Sequence, residues 1–106
     1  IFIDDALAAC DEVVFSAITL VEVVYLAERG RIAADSLNQI RLASQAEPLI
    51  REWPILGSLA DFVARIPRVE IPELPDRVIA ATALRLGVPL LTADRVIRAS
   101  SVPTVW

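Results

Sequence analysis

The chain has 106 residues, of which 56% are hydrophobic and 23% charged, so it can bury the core of one domain. Ten basic and fourteen acidic side chains give a net charge of −4, which argues against a broad basic surface for nucleic acid. There is no His or Lys, and Cys10 is the single cysteine. These counts exclude His-based catalysis, lysine chemistry, an intrachain disulfide and a thiolate zinc site, and they leave carboxylate chemistry.

The first half of the chain reads as helices and strands in alternation. A short amphipathic helix is predicted at residues 4–10, followed at 12–16 by an apolar, β-branched strand of the kind buried in parallel sheets. A helix is expected to open at Thr19 and run to about Arg29, and a second helix covers 35–47. Residues 53–56 predict a short strand.

The second half continues the alternation. Its predicted elements are a helix at 57–65, a helix at 77–86, a strand at 89–92 and, after a short turn of helix, a strand at 101–106. A loop with three prolines separates the two helices, Asp76 is expected to cap the second one, and Gly87 to end it. Strands that alternate with helices indicate an α/β fold with a mainly parallel sheet and helices on both faces.

Three acids fall where ligands bind in such sheets, beyond the carboxyl ends of the strands. Glu22 is predicted in the first turn of the helix after the first strand, Asp76 starts a helix that returns to the sheet, and Asp94 follows the strand that ends at Thr92. Converging carboxylates repel one another unless a cation lies between them, and Mg²⁺ or Mn²⁺ prefers oxygen ligands. The residues therefore allow metal-assisted hydrolysis of a phosphodiester.

Each acid also has a purely structural interpretation, which the residues alone leave open. Thr19-Leu-Val-Glu22 matches a capping box, although Glu22 also points along a largely apolar helix face. Asp76 and Asp94 both suit the N-cap position of the helix that follows them. Arg77 and Arg95, each beside an acid, are expected to face solvent or form local ion pairs.

Taken in order, several segments together resemble the PIN-domain family, and within it the VapC-type toxins of bacterial toxin–antitoxin pairs. The segments are SAITLVE at 16–22, LAERGR at 26–31, LPDRVIAATA at 74–83, PLLTAD at 89–94 and VPTVW at 102–106. The resemblance implies a three-layer α/β/α sandwich with a mainly parallel sheet, which cuts RNA with Mg²⁺ or Mn²⁺. By position, Glu22, Asp76 and Asp94 match the second, third and fourth acids of the family, as metal ligands and catalytic residues, and Thr92 matches a hydroxyl residue near the metal.

The resemblance also implies partners. It implies a homodimer and a cognate antitoxin whose segment blocks the acidic site. Separately, a single cysteine and the lack of an apolar run long enough to span a bilayer fit a cytoplasmic protein with no membrane partner. The alternative is a degenerate PIN module that binds antitoxin or RNA without cutting. A phosphate-receiver-like signalling domain is disfavoured because the chain lacks lysine.

The sequence departs from the family pattern at its start. The family begins with a central strand that ends in an aspartate, whereas this chain begins at Ile1, contains no Met, and reads as the helix before the second strand. Asp4 and Asp5 do not replace the missing acid, because they lie within that predicted helix. We therefore expect residues 1–106 to be a single, N-terminally incomplete PIN-like domain that is poorly stable and weakly active or inactive when expressed alone.

Overall fold

The computed structural model describes residues 12–105, so the helix predicted at 4–10 lies outside the described residues. The described residues group into two compact units, 12–55 and 56–105. The first contains β1 (Val13–Ser16), α1 (Ala17–Glu28), α2 (Ser36–Ala46) and β2 (Ile50–Trp53). The second contains α3 (Leu59–Arg65), α4 (Leu74–Leu86), β3 (Leu90–Leu91), α5 (Arg95–Arg98) and β4 (Thr104–Val105).

In the 12–55 unit, β1 passes directly into α1. The Ser16 hydroxyl accepts a hydrogen bond from the Ile18 amide at 3.3 Å and so occupies the N-cap. The prediction that α1 opens at Thr19 is therefore wrong, because the helix already begins at Ala17. Ser16 and Thr19 are both competent caps, and the residue that ends the strand is the one that takes the position.

The two strands of this unit pair in parallel, in a register that runs from Val13 opposite Ile50 to Ser16 opposite Trp53. The predicted strand at 53–56 is wrong, since β2 lies at Ile50–Trp53. The physical reason is Pro54, which has no amide hydrogen to donate to a partner strand and so ends the pairing.

In the 56–105 unit, α3 packs against α4. Ile71, Ala80 and Ala81 are wholly inaccessible to solvent and Ile66 nearly so. The paired alanines leave room for close packing of a neighbouring element against α4. Most of the buried apolar side chains of the described residues lie in this unit.

Helix α4 begins three residues before its predicted start. Pro75 is its second residue, a position where the missing amide hydrogen costs nothing because first-turn amides have no partner within the helix. Glu73 thus takes the N-cap and Asp76 becomes the third helical residue, so the predicted cap at Asp76 is wrong. The end of the helix is as predicted: Gly87 adopts a left-handed conformation with φ of 67°, and its amide bonds back to the last turn.

Strands β3 and β4 also pair in parallel, with Leu90 opposite Thr104 and Leu91 opposite Val105. α5 forms the connection between them. Both strand pairings of the described residues are thus parallel, as the alternation of elements predicts. None of the helices within 12–105 is both long and apolar enough to cross a membrane.

Candidate functional site

Asp76 lies half-buried in the first turn of α4, and its carboxylate makes no hydrogen bond or ion pair with the part of the chain that the structure describes. Burial raises the pKa of Asp76, and the negative charges of Glu73 and Asp94 raise that pKa further. A half-buried carboxylate without a partner near other acids is destabilising for a fold. Asp76 is therefore a candidate functional residue.

Asp94 has a structural role that accounts for one of its two oxygens. Oδ1 accepts hydrogen bonds from the amides of Val96 at 2.8 Å and Ile97 at 3.2 Å, so Asp94 caps α5, an interpretation that the sequence left open. Its Oδ2 receives no hydrogen bond from the described residues and remains open to a ligand. Capping also fixes the orientation of the carboxylate.

Thr92 directly follows β3 and lies two residues before Asp94. Its amide donates to the Val105 carbonyl at 3.2 Å, which extends the pairing with β4 by one bond. Its hydroxyl oxygen accepts from the Asp94 amide at 3.1 Å. Thr92 therefore holds the backbone of Asp94 in place, and its hydroxyl hydrogen is still available to a further acceptor.

Asp76 and Asp94 come from separate elements, α4 and the start of α5, yet lie close enough for the charge of Asp94 to act on Asp76. Mg²⁺ is commonly held in proteins by one or two carboxylates, with water and substrate phosphate completing its shell. Two carboxylates with uncommitted oxygens fit that donor set. Across residues 12–105, no three metal-ligating side chains group closely enough to hold an ion by themselves, so the candidate ligands are this pair.

Glu22 belongs to the 12–55 unit, where it is the sixth residue of α1 and half-buried. The prediction that it lies in the first turn is wrong, because α1 begins two residues before Thr19. The capping-box interpretation fails for the same reason, since Ser16 occupies the cap that Thr19 would need. The role of Glu22 as a metal ligand stays a prediction.

The prediction that Arg77 faces solvent or forms a local ion pair is wrong. Its Nη2 donates to the carbonyls of Val63 at 2.9 Å and Ile66 at 3.0 Å, at the C-terminal end of α3. The side chain is half-buried rather than solvent-facing, and its Nε is buried with no partner among the described residues. Arg77 therefore ties the first turn of α4, which carries Asp76, to the end of α3.

Glu73 is a further residue that sequence reasoning missed. It is exposed at the N-cap of α4, makes no side-chain capping bond, and contributes to the raised pKa of Asp76. The signal was its spacing, because residues three apart at the start of a helix face the same side. The helix was predicted to begin at residue 77, which left Glu73 and Asp76 outside it, so the spacing gave no indication that they face the same side.

Comparison with known proteins identifies the family of this chain. The profile described as the PIN domain matches residues 1–101, so the chain belongs to the PIN-domain family and has its α/β fold. Within the family it is a VapC-type member. It is 32% identical over 104 residues to Ribonuclease VapC22 of Mycobacterium tuberculosis (strain ATCC 25618 / H37Rv), an alignment that covers 95% of this chain and 79% of that protein. No solved structure matches the chain significantly.

Proposed function

We propose that this chain is the nuclease of a toxin–antitoxin pair and hydrolyses RNA phosphodiesters with Mg²⁺ or Mn²⁺. The observation that carries the proposal is the half-buried Asp76 carboxylate, which has no partner among the described residues and on which the charge of Asp94 acts. Membership of the PIN-domain family and similarity to a protein named as a ribonuclease support the choice of RNA.

Asp76 and Asp94 would hold the cation, with Glu22 and the Thr92 hydroxyl as further candidate oxygen ligands. When bound, the cation supplies a water of lowered pKa and stabilises negative charge on the phosphodiester. Either Asp76 or Asp94 would also be a candidate to orient the attacking water, since both carboxylates have an oxygen that is uncommitted in the described structure. Asp94 is held rigidly by its capping bonds and would position the scissile group.

The proposal extends to organisation and partners. Residues 1–106 would belong to one PIN-like domain that acts in the cytoplasm as a homodimer. A cognate antitoxin would inhibit it by covering the acidic site, where a cationic side chain of the antitoxin could neutralise the carboxylates. Resemblance to VapC-type toxins is the basis for these partners.

The test uses the full-length encoded protein and compares its wild-type form with Asp76→Asn, Asp94→Asn and the control Asp61→Asn. Asp61 is an exposed acid in the first turn of α3, so its substitution changes the net charge equally without touching the candidate site. Binding of Mn²⁺ is measured by calorimetry, and cleavage of small RNA by gel electrophoresis with Mg²⁺ or Mn²⁺. We expect both site variants to lose metal binding and cleavage while Asp61→Asn keeps both.

A degenerate PIN module, which binds antitoxin or RNA without cutting, is the second candidate. It is favoured by the capping role of Asp94, which gives that acid a structural reason to be present. Such a module would bind Mn²⁺ no better than either site variant. Equal titrations for the wild-type, Asp76→Asn and Asp94→Asn proteins would select it over the nuclease.

A further inference from the structure

The charge of the chain is unevenly distributed. Residues 56–105 carry six arginines and five acids, so the surplus of acids lies in the first 55 residues. Among the described residues, the ion pair found is between Arg51 and Glu12, both in the 12–55 unit. The arginines of the 56–105 unit therefore have no carboxylate within ion-pair distance in the described structure.

Two of these arginines share one aromatic ring. The guanidinium carbon of Arg65 lies 4.6 Å from the centroid of Phe62, and that of Arg85 lies 5.8 Å from it. Phe62 and Arg65 belong to α3, whereas Arg85 belongs to the last turn of α4. Both arginines are exposed to solvent, and the three residues are called the Phe62 patch below.

The Phe62 patch has the chemistry of a phosphate-binding surface. The two like charges repel each other, and the face of the ring offsets part of that repulsion by attraction to each cation. The ring also restricts the guanidiniums, so less conformational entropy remains to be lost when they bind a ligand. The planar donor fork of arginine matches the oxygens of a phosphate.

From these observations we propose that the Phe62 patch binds backbone phosphates of RNA at a distance from the bond that is cut. The proposal rests on the function proposed above and identifies where the substrate is held. Arg85 follows Asp76 by nine residues, which places it about 13 Å further along the axis of α4 and about half a turn around it. The patch would therefore hold a part of the RNA other than the part at Asp76.

This placement predicts which kinetic constant the patch affects. Phosphates held away from the scissile bond make the same contacts in the bound substrate and in the transition state. Loss of the patch should therefore raise KM and leave kcat unchanged. Loss of Asp76 should instead abolish turnover, so the two roles separate in one kinetic assay.

The experiment uses the double variant Arg65→Gln/Arg85→Gln, with Arg31→Gln/Arg41→Gln as control. The control removes the same two charges from exposed positions of the 12–55 unit that have no aromatic contact. Binding of fluorescently labelled single-stranded RNA is followed by anisotropy at several salt concentrations, with chelator present to prevent cleavage. Circular dichroism checks that each variant is folded.

For the double variant we expect RNA affinity to fall on the order of tenfold. The slope of log K against log salt should become shallower by about 1.4, which corresponds to about 0.7 for each of two phosphate contacts on a single strand. Phe62→Leu keeps both charges but removes the ring, so affinity should fall several-fold with an unchanged slope. The control should match the wild-type protein in both respects.

The proposal is overturned if the double variant binds RNA with the affinity and salt slope of the wild-type protein. In that case the proposed nuclease still stands, provided that the wild-type chain cuts RNA and Asp76→Asn does not. It is also overturned if the control loses as much affinity as the double variant, because the effect would then be net charge alone. A full-length wild-type protein that neither binds nor cuts RNA overturns both proposals.

Discussion

Replacement of Arg77 by Met tests whether one guanidinium anchors the helix that carries the candidate site. Met keeps an apolar stem of similar length and removes the donors to the Val63 and Ile66 carbonyls. Each hydrogen bond from a charged donor contributes roughly 1.5–3 kcal/mol to stability. The substitution also removes the buried Nε, which has no partner among the described residues. Because an unsatisfied buried donor costs about 1–3 kcal/mol, its removal offsets part of the stability lost with the two hydrogen bonds.

The balance is a net loss of about 2–3 kcal/mol in the free energy of unfolding, from a total that for natural domains is about 5–15 kcal/mol. Urea denaturation followed by far-ultraviolet circular dichroism measures it directly. Because a loss of 1 kcal/mol lowers Tm by about 4–8 °C in a small domain, thermal unfolding should show a decrease of roughly 8–24 °C.

Two further variants make the result specific to the hydrogen bonds. Arg68→Met removes a guanidinium from an exposed loop position where the side chain makes no hydrogen bond or ion pair with the described residues. Its effect should stay within about 0.5 kcal/mol. Arg77→Lys keeps the charge with a different donor geometry and should recover part of the loss. If Arg77→Met were as stable as Arg68→Met, the guanidinium would not be anchoring α4.

Three other predictions concern single side chains. The pKa of Asp76 is raised in the folded state, so the folded protein favours the protonated form and the free energy of unfolding should fall as pH rises from below 3.8 through the raised pKa. In metal-free buffer Asp76→Asn should remove this fall and be more stable than the wild-type protein at neutral pH. The prediction is contradicted if the urea midpoints of the two proteins change in parallel between pH 3 and 7. Asp94→Ala should lower stability by about 1 kcal/mol through loss of the α5 cap. The side-chain amide oxygen of Asp94→Asn can still accept the capping bonds, so that variant should lose less stability. Equal losses of stability for the two variants in thermal unfolding would contradict the capping role. Ile71→Ala should cost about 2–5 kcal/mol because the side chain is wholly inaccessible. Val69→Ala, at a side chain that is 93% exposed, should change stability by less than about 0.5 kcal/mol in the same denaturation assay.

Local signals located several helix boundaries because those boundaries depend on residues close in sequence. The helix predicted at 35–47 is found at Ser36–Ala46, and the stop predicted at Gly87 is found there. The capping role of Asp94, one of the two interpretations that the sequence left open, is found as well. In each case the deciding groups lie within one helical turn of the boundary, so sequence order is enough to identify them.

Boundary errors arose where two local solutions were both acceptable. Ser16 and Thr19 can each cap a helix, and the end of β1 decides in favour of Ser16. Pro75 can precede a helix or occupy its first turn, and the second arrangement moved Asp76 from the cap to the third helical position. That change matters for function, because a capping carboxylate is committed to backbone amides whereas this one is not.

The sequence by itself determined the chemistry available to this protein and the order of its elements. Without His or Lys, and with one cysteine, the sequence leaves carboxylates as candidate reactive groups, and the ordered segments around them match the PIN-domain family. Tertiary structure alone decided which groups meet. Arg77 reaches carbonyls 11 and 14 residues earlier in the chain, and Asp94 acts on a carboxylate 18 residues before it. Such contacts depend on how helices and loops pack against one another, which the period of a helix or strand does not specify.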